Sequence, residues 1–323
     1  MSFESLGVMK GIIERAVGKK FTEVLKPLEI KKIFLALGFE KVSPIIIERL
    51  SLLSQKPESG EPSHFQDAKA ISEIIDDLMP QELSEAKINE LRCASLVHDV
   101  GKTGPSEIDT ADITTAEKSA LRAAFVTFFN IRLHRENYPG RDPRQLPVME
   151  VLTQEIGSKR ASEVWQSIRR ASELERESRP QTTFTDESVM YDVYGAHVYW
   201  TYDILRAQGM NENITTIAAS HHLLEGRNPA GIDLDHVTAP IVGLELSDKY
   251  QGIRMRKLLV EEVADKYQAL RVRSQMTHET AVGILRGTIE KNMASPLAQA
   301  QYFAVLDMLN QQKELLETEL GFE

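Results

Sequence analysis

Apolar residues recur at three- and four-residue spacing along nearly the whole chain, and alternating apolar–polar runs bounded by turn formers are scarce. A pattern of that period can bury its apolar stripe only as helices packed on helices, so the sequence predicts an all-α fold. Punctuation supports helix ends at defined places. Ser63 with Gln66, and Thr114 with Glu117, have the spacing of capping boxes. The second box is expected to open a helix through Leu121, Ala124, Phe125 and Phe128. Residues 134–147 hold three prolines and a glycine and read as a loop, followed by a charged helical stretch from 148 to about 178. A break near Arg179-Pro180-Gln181 precedes a buried helix over about 188–208. The polar, turn-rich residues 55–62 form the expected linker after an N-terminal helical piece.

Eight histidines occur, and five lie on or beside the apolar face of an expected helix. His64 precedes Ala68, Ile71 and Ile75 by four, seven and eleven residues. His98 follows Ala94 and Leu91 by four and seven, and His197 shares a face with Thr201 and Ile204. His221, with His222 adjoining, follows Ile214, Ile217 and Ala218 by seven, four and three. Asp248 follows Leu244 and Ile241 by four and seven. These separations put side chains in one stripe of a helix, so imidazoles and carboxylates are expected to converge on the interior. A buried carboxylate needs a partner, and a divalent metal is one that suits mixed imidazole and carboxylate donors. His134, His236 and His278 are expected in surface positions without a ligand role. Cys93, in an apolar stretch, is expected to pack.

The segment Ser95-Leu96-Val97-His98-Asp99-Val100-Gly101-Lys102-Thr103-Gly104 resembles the defining motif of the HD-domain metal-dependent phosphohydrolase superfamily, and within it the HD-GYP phosphodiesterase branch. The resemblance implies an HD-type domain over residues 57–295, after an N-terminal helical region (1–56) and before a C-terminal helix (296–323). It implies metal ligation by His64, His98, Asp99, His197, His221, His222 and Asp248, with Asp99 bridging two divalent ions. Iron or manganese is favoured, with zinc, magnesium and nickel as further candidates. Lys102 matches the lysine that contacts substrate phosphate. Arg254 and Arg256 are further candidates for phosphate binding. A second stretch, Ala264-Asp265-Lys266-Tyr267-Gln268-Ala269-Leu270, also resembles the closing motif, so Asp265 stands in reserve to Asp248. Leu223-Leu224-Glu225-Gly226-Arg227-Asn228-Pro229-Ala230-Gly231 keeps the turn chemistry that should follow the paired histidines but not the GYP residues. The place of a third-metal glutamate falls at Gly60, which favours two metals. Residues 104–185 read as a helical insertion.

The expected function is therefore metal-dependent hydrolysis of a phosphodiester in a nucleotide or cyclic dinucleotide. A di-iron oxygenase on a small hydroxylated substrate and a non-catalytic nucleotide-sensing module are the alternatives. The net charge of −10 argues against broad nucleic-acid binding. No apolar run reaches the length of a membrane span, and the single cysteine and the absence of a leader-like N-terminus place the expected protein in the cytoplasm. A homo-oligomer is left open.

Overall fold

A computed structural model of the chain describes residues 25–57, 62–78, 84–177, 179–232 and 249–319, with backbone alone at 77, 181, 249–258 and 319. Among these residues the secondary structure is helical: fourteen α-helices, short 3-10 turns and a π turn, with no strand beyond one isolated bridge between Pro147 and Val189. The all-α expectation holds. No described helix is long and apolar enough to cross a membrane.

The helices are α1 (Pro27–Ala36), α2 (Pro44–Leu53), α3 (His64–Leu78), α4 (Glu85–Val97), α5 (Glu107–Thr110), α6 (Thr115–Phe129), α7 (Val148–Ile156), α8 (Ser158–Leu174), α9 (Met190–Ala207), α10 (Glu212–Ala218), α11 (Lys249–Gln268), α12 (His278–Asn292), α13 (Pro296–Gln311) and α14 (Lys313–Glu319). Local chemistry accounts for several ends. Thr114 Oγ1 accepts from Glu117 N, and Glu117 Oε2 accepts from Thr114 N at 3.0 Å, so the expected capping box opens α6. Pro44 and Pro296 fill first-turn positions whose N–H would have no helical partner. The charged helical stretch expected from 148 consists of two helices. Gly157, with φ +79°, supplies the left-handed backbone that separates α7 from α8.

Packing divides the chain into two interleaved units: residues 1–64 with 99–209, and residues 65–98 with 210–323. One division falls at the His98–Asp99 peptide bond. In the first unit, α6 packs on α8, α7 on α8, and the 3-10 turn Val100–Thr103 lies among α2, α6 and α9. Its core is aromatic: Phe125 meets Trp200 edge-on at 5.0 Å between centroids, and Trp200 also meets Phe184. Edge-on pairs of this kind add about 0.5–1.5 kcal/mol to plain burial. The residues expected as an insertion thus build much of this unit's core.

Arg49 of α2 is fully buried. Its guanidinium donates to Thr103 Oγ1 at 2.6 Å, to the carbonyls of Gly104 and Pro105 at 2.9 Å, and to Asp109 at 3.0 Å. Burial lowers its pKa to about 10 against the opposing pull of Asp109. The N-terminal helices are therefore fastened to the backbone that follows the His-Asp pair.

In the second unit, α10 packs against α4 and α11, and α11 packs against α12 and α13. Leu91, Val97, Ile214, Ile217, Leu259, Val263 and Tyr302 are buried there. Asp67 of α3 accepts from Gln268 Nε2 at 2.7 Å and pairs with Arg273 on the π turn Ala269–Arg273. Cys93 is buried in this unit, as expected, and burial pushes its thiol pKa up.

Candidate metal centre

In the first unit the candidate residues gather on one carboxylate. The His-Asp pair follows the end of α4 at Val97, and Asp99 leads the 3-10 turn. A Cβ on Gly101 would lie 1.9 Å from the carbonyl oxygen of His197 and 2.6 Å from Thr201 N, so only glycine lets this turn rest on α9. Gly101 N donates to Thr201 Oγ1 at 3.0 Å and fixes the approach. Asp99 is thereby held beside His197, with Oδ1 3.5 Å from Nε2. Its other oxygen lies 3.4 Å from His64 Nδ1 and accepts from Lys102 Nζ at 2.5 Å. Lys102 Nζ is also 3.2 Å from His64 Nδ1. His64, Asp99 and His197 are 6%, 4% and 3% exposed, so this charge sits largely out of water. Gly104, at φ +89°, ends the turn where a Cβ would strike the Phe125 ring at 2.4 Å. Both glycines of the Gly-Lys-Thr-Gly run thus have a steric reason.

The second unit holds a matching group. His98 and His221 meet edge-on at 4.8 Å between ring centroids, and His221 meets His222 at 4.4 Å. His98 Nε2 lies 3.8 Å from Asp265 Oδ1. Behind it, Ser95 Oγ donates to the buried Glu261 at 2.5 Å.

One hydrogen-bond pattern runs through both groups. His98 Nδ1 donates to Ser95 O at 2.6 Å, His221 Nδ1 to Ala218 O at 2.7 Å, and His197 Nδ1 to Tyr194 O. A carbonyl oxygen only accepts, so each neutral ring carries its proton on Nδ1 and its lone pair on Nε2. That is the protonation a metal-ligating imidazole needs, with the second nitrogen anchored to fix ring direction. Buried histidine and aspartate groups in this chain could hold a metal ion.

The other candidates are distributed as follows. Asp248 and His236 lie outside the described residues. Asp265, the reserve, has Oδ1 3.8 Å from His98 Nε2, and Glu261 Oε1 lies 3.9 Å from His98 Nδ1. Arg254 and Arg256 belong to the backbone of α11, and their side chains lie outside the description. Arg169 and Arg170 form exposed ion pairs with Asp186 and Glu117. His134 is exposed and paired with Glu155, as expected of a loop residue. His278 is a correction. It is buried at the start of α12, between the Tyr267 hydroxyl at 2.8 Å and Asn310 Oδ1 at 3.0 Å. His221 departs in a smaller way: α10 ends at Ala218, and the imidazole enters the interior from the turn beyond it.

Sequence reasoning missed Glu261 and Glu262. Glu261 stands four residues before Asp265 on α11, a spacing that places the two on one face. That signal was available. Glu262 accepts from Leu224 N at 2.7 Å and from the Tyr302 hydroxyl, and burial raises its pKa to about 7. No protein-family model matches the chain, and no curated protein or solved structure matches it.

Proposed function

We propose that the chain is a metal-dependent phosphohydrolase, a phosphodiesterase acting on a nucleotide or cyclic dinucleotide. The observation that carries this reading is the setting of Asp99. A buried carboxylate with His64, His197 and Lys102 around it combines cation donors with an ammonium suited to an anion. Divalent cations would be held by His64, Asp99 and His197 in the first unit and by His98, His221, His222 and Asp265 in the second. Two such ions, with iron or manganese favoured, suit imidazole–carboxylate donors. Asp265 is included because its carboxylate stands 3.8 Å from His98 Nε2, with Asp248 kept as the other candidate for the closing role. The Nδ1 anchors described above fit His98, His197 and His221 for ligation.

When bound by these residues, a divalent cation would supply Lewis-acid chemistry, lowering the pKa of a water towards neutrality. The chain's own side chains supply the rest. Lys102 binds an anionic oxygen of the phosphate and offsets the charge that builds there during displacement. Its ammonium is held ready by Asp99 and His64, so little reorganisation is needed when substrate enters. Burial of the group keeps bulk water from screening these charges.

The test is hydrolysis of a panel of aryl phosphodiesters, nucleotides and cyclic dinucleotides under anaerobic conditions, with Mn²⁺ or Fe²⁺ supplied. Asp99→Ala is expected to lower turnover more than about 100-fold. Full activity in that variant would sink the assignment, and oxygen consumption by the iron-loaded chain without ester cleavage would transfer it to an oxygenase.

A further inference from the structure

His222 is anchored differently from its neighbours. His98, His197 and His221 donate Nδ1 to the backbone, whereas His222 Nδ1 meets the carboxylate of Glu225. The short turn Leu223–Glu225, closed by Gly226 in the left-handed region at φ 76°, ψ 15°, is what returns Glu225 to the imidazole three residues earlier. That turn is pinned at both backbone groups of Leu224. Its N–H donates to Glu262 Oε1 at 2.7 Å, and its carbonyl accepts from Asn292 Nδ2 at 2.7 Å. Glu225 is itself held: Oε1 accepts from Lys266 Nζ at 2.8 Å, and Lys266 lies 3.9 Å from Glu262. Lys266 directly follows Asp265 on α11, so the same helical turn presents one carboxylate to His98 and steadies another at His222.

We propose that Glu225 is a positioning residue that holds the His222 ring with its lone pair on Nε2, as a ligand for a divalent cation, while Lys266 holds Glu225. The inference rests on the metal-binding reading above and adds a residue to it. An ionised carboxylate only accepts, so the Nδ1 proton is fixed as firmly as at a carbonyl, and its charge also raises the donor strength of the ring. The turn that replaces the family-like signature after the paired histidines thus has a function of its own. It carries the carboxylate partner of the second histidine.

An ordinary surface ion pair is the competing role, and it makes different demands. The experiment is Mn²⁺ titration of the full-length, chelator-stripped chain, with imidazole ¹⁵N spectra and a thermal melt of the metal-free protein. Glu225→Ala is expected to weaken Mn²⁺ binding about 10–100-fold and to move the His222 ring off the Nδ1–H tautomer, with an unchanged metal-free melt. Glu225→Gln, which can still accept through its amide oxygen, is expected to recover most of the affinity. Lys266→Met tests the support and should fall between the two. Wild-type Mn²⁺ affinity and tautomer in Glu225→Ala, or in Lys266→Met should the alanine variant fail to fold, would overturn the inference. A wild-type chain that takes up no Mn²⁺ would instead remove the metal reading on which it depends.

Discussion

At position 101 the distance from a built Cβ to the His197 carbonyl oxygen is 1.9 Å, far inside any contact that packed atoms tolerate. The obstructing atoms are backbone, which cannot swing aside. Gly101→Ala is therefore expected to cost about 3 kcal/mol or more in a urea melt, and to separate Asp99 from His197. Gly287, exposed on α12 with open space around it, is the control: alanine there should stabilise by about 0.5–1 kcal/mol. Equal effects at the two sites would contradict the close approach. Periodicity put His64, His98, His197 and His221 on or beside apolar stripes, and all four are buried, where a polar group demands a partner; Asp99 and Lys102 were singled out by the resemblance alone. Which nitrogen each ring uses was not legible, since it depends on carbonyl positions set by the fold. The choice between Asp248 and Asp265 turned on spacing along the chain, and Asp248 lies outside the described residues.

At the scale of elements, helix starts were more readable than helix ends. Thr114 with Glu117 marked α6 because both partners lie in one local turn. The apolar period through Ile214, Ile217 and Ala218 ran on to His221, but periodicity does not register the loss of backbone hydrogen bonds that ends α10 at Ala218. His278 was misjudged for a related reason: its burial comes from Tyr267 and Asn310, distant in sequence. Junctions between elements carry consequences for pH. Glu175, just beyond α8, accepts from Trp200 Nε1 of α9 at 2.6 Å and is almost fully buried. Burial raises its pKa to about 8, outweighing its bonds to Thr182 and Trp200. A carboxyl raised in this way gives stability that is complete below its ordinary value of 4.5 and disappears as pH climbs through 8. Glu175→Gln, neutral throughout, should match the native chain near pH 5 and exceed it at pH 9 by on the order of a few kcal/mol in urea melts. Parallel pH curves for the two chains would show that folding does not raise the Glu175 pKa.

For the molecule as a whole, the helical class was readable because one period dominates the sequence, while the division into two interleaved units was not. Its boundary falls between His98 and Asp99, inside the motif and with no turn former to mark it. Each unit contributes buried imidazoles and a carboxylate, so the account's central claim is that the folded chain is a metal protein. The most direct test is the divalent-metal content of the purified full-length chain by elemental analysis, beside Asp99→Ala. The account expects about two ions per native chain, as dinuclear hydrolytic sites hold, and loss of metal in the variant. A native chain that retains no divalent ion, and takes none up from Mn²⁺ or Fe²⁺ in excess, would contradict it.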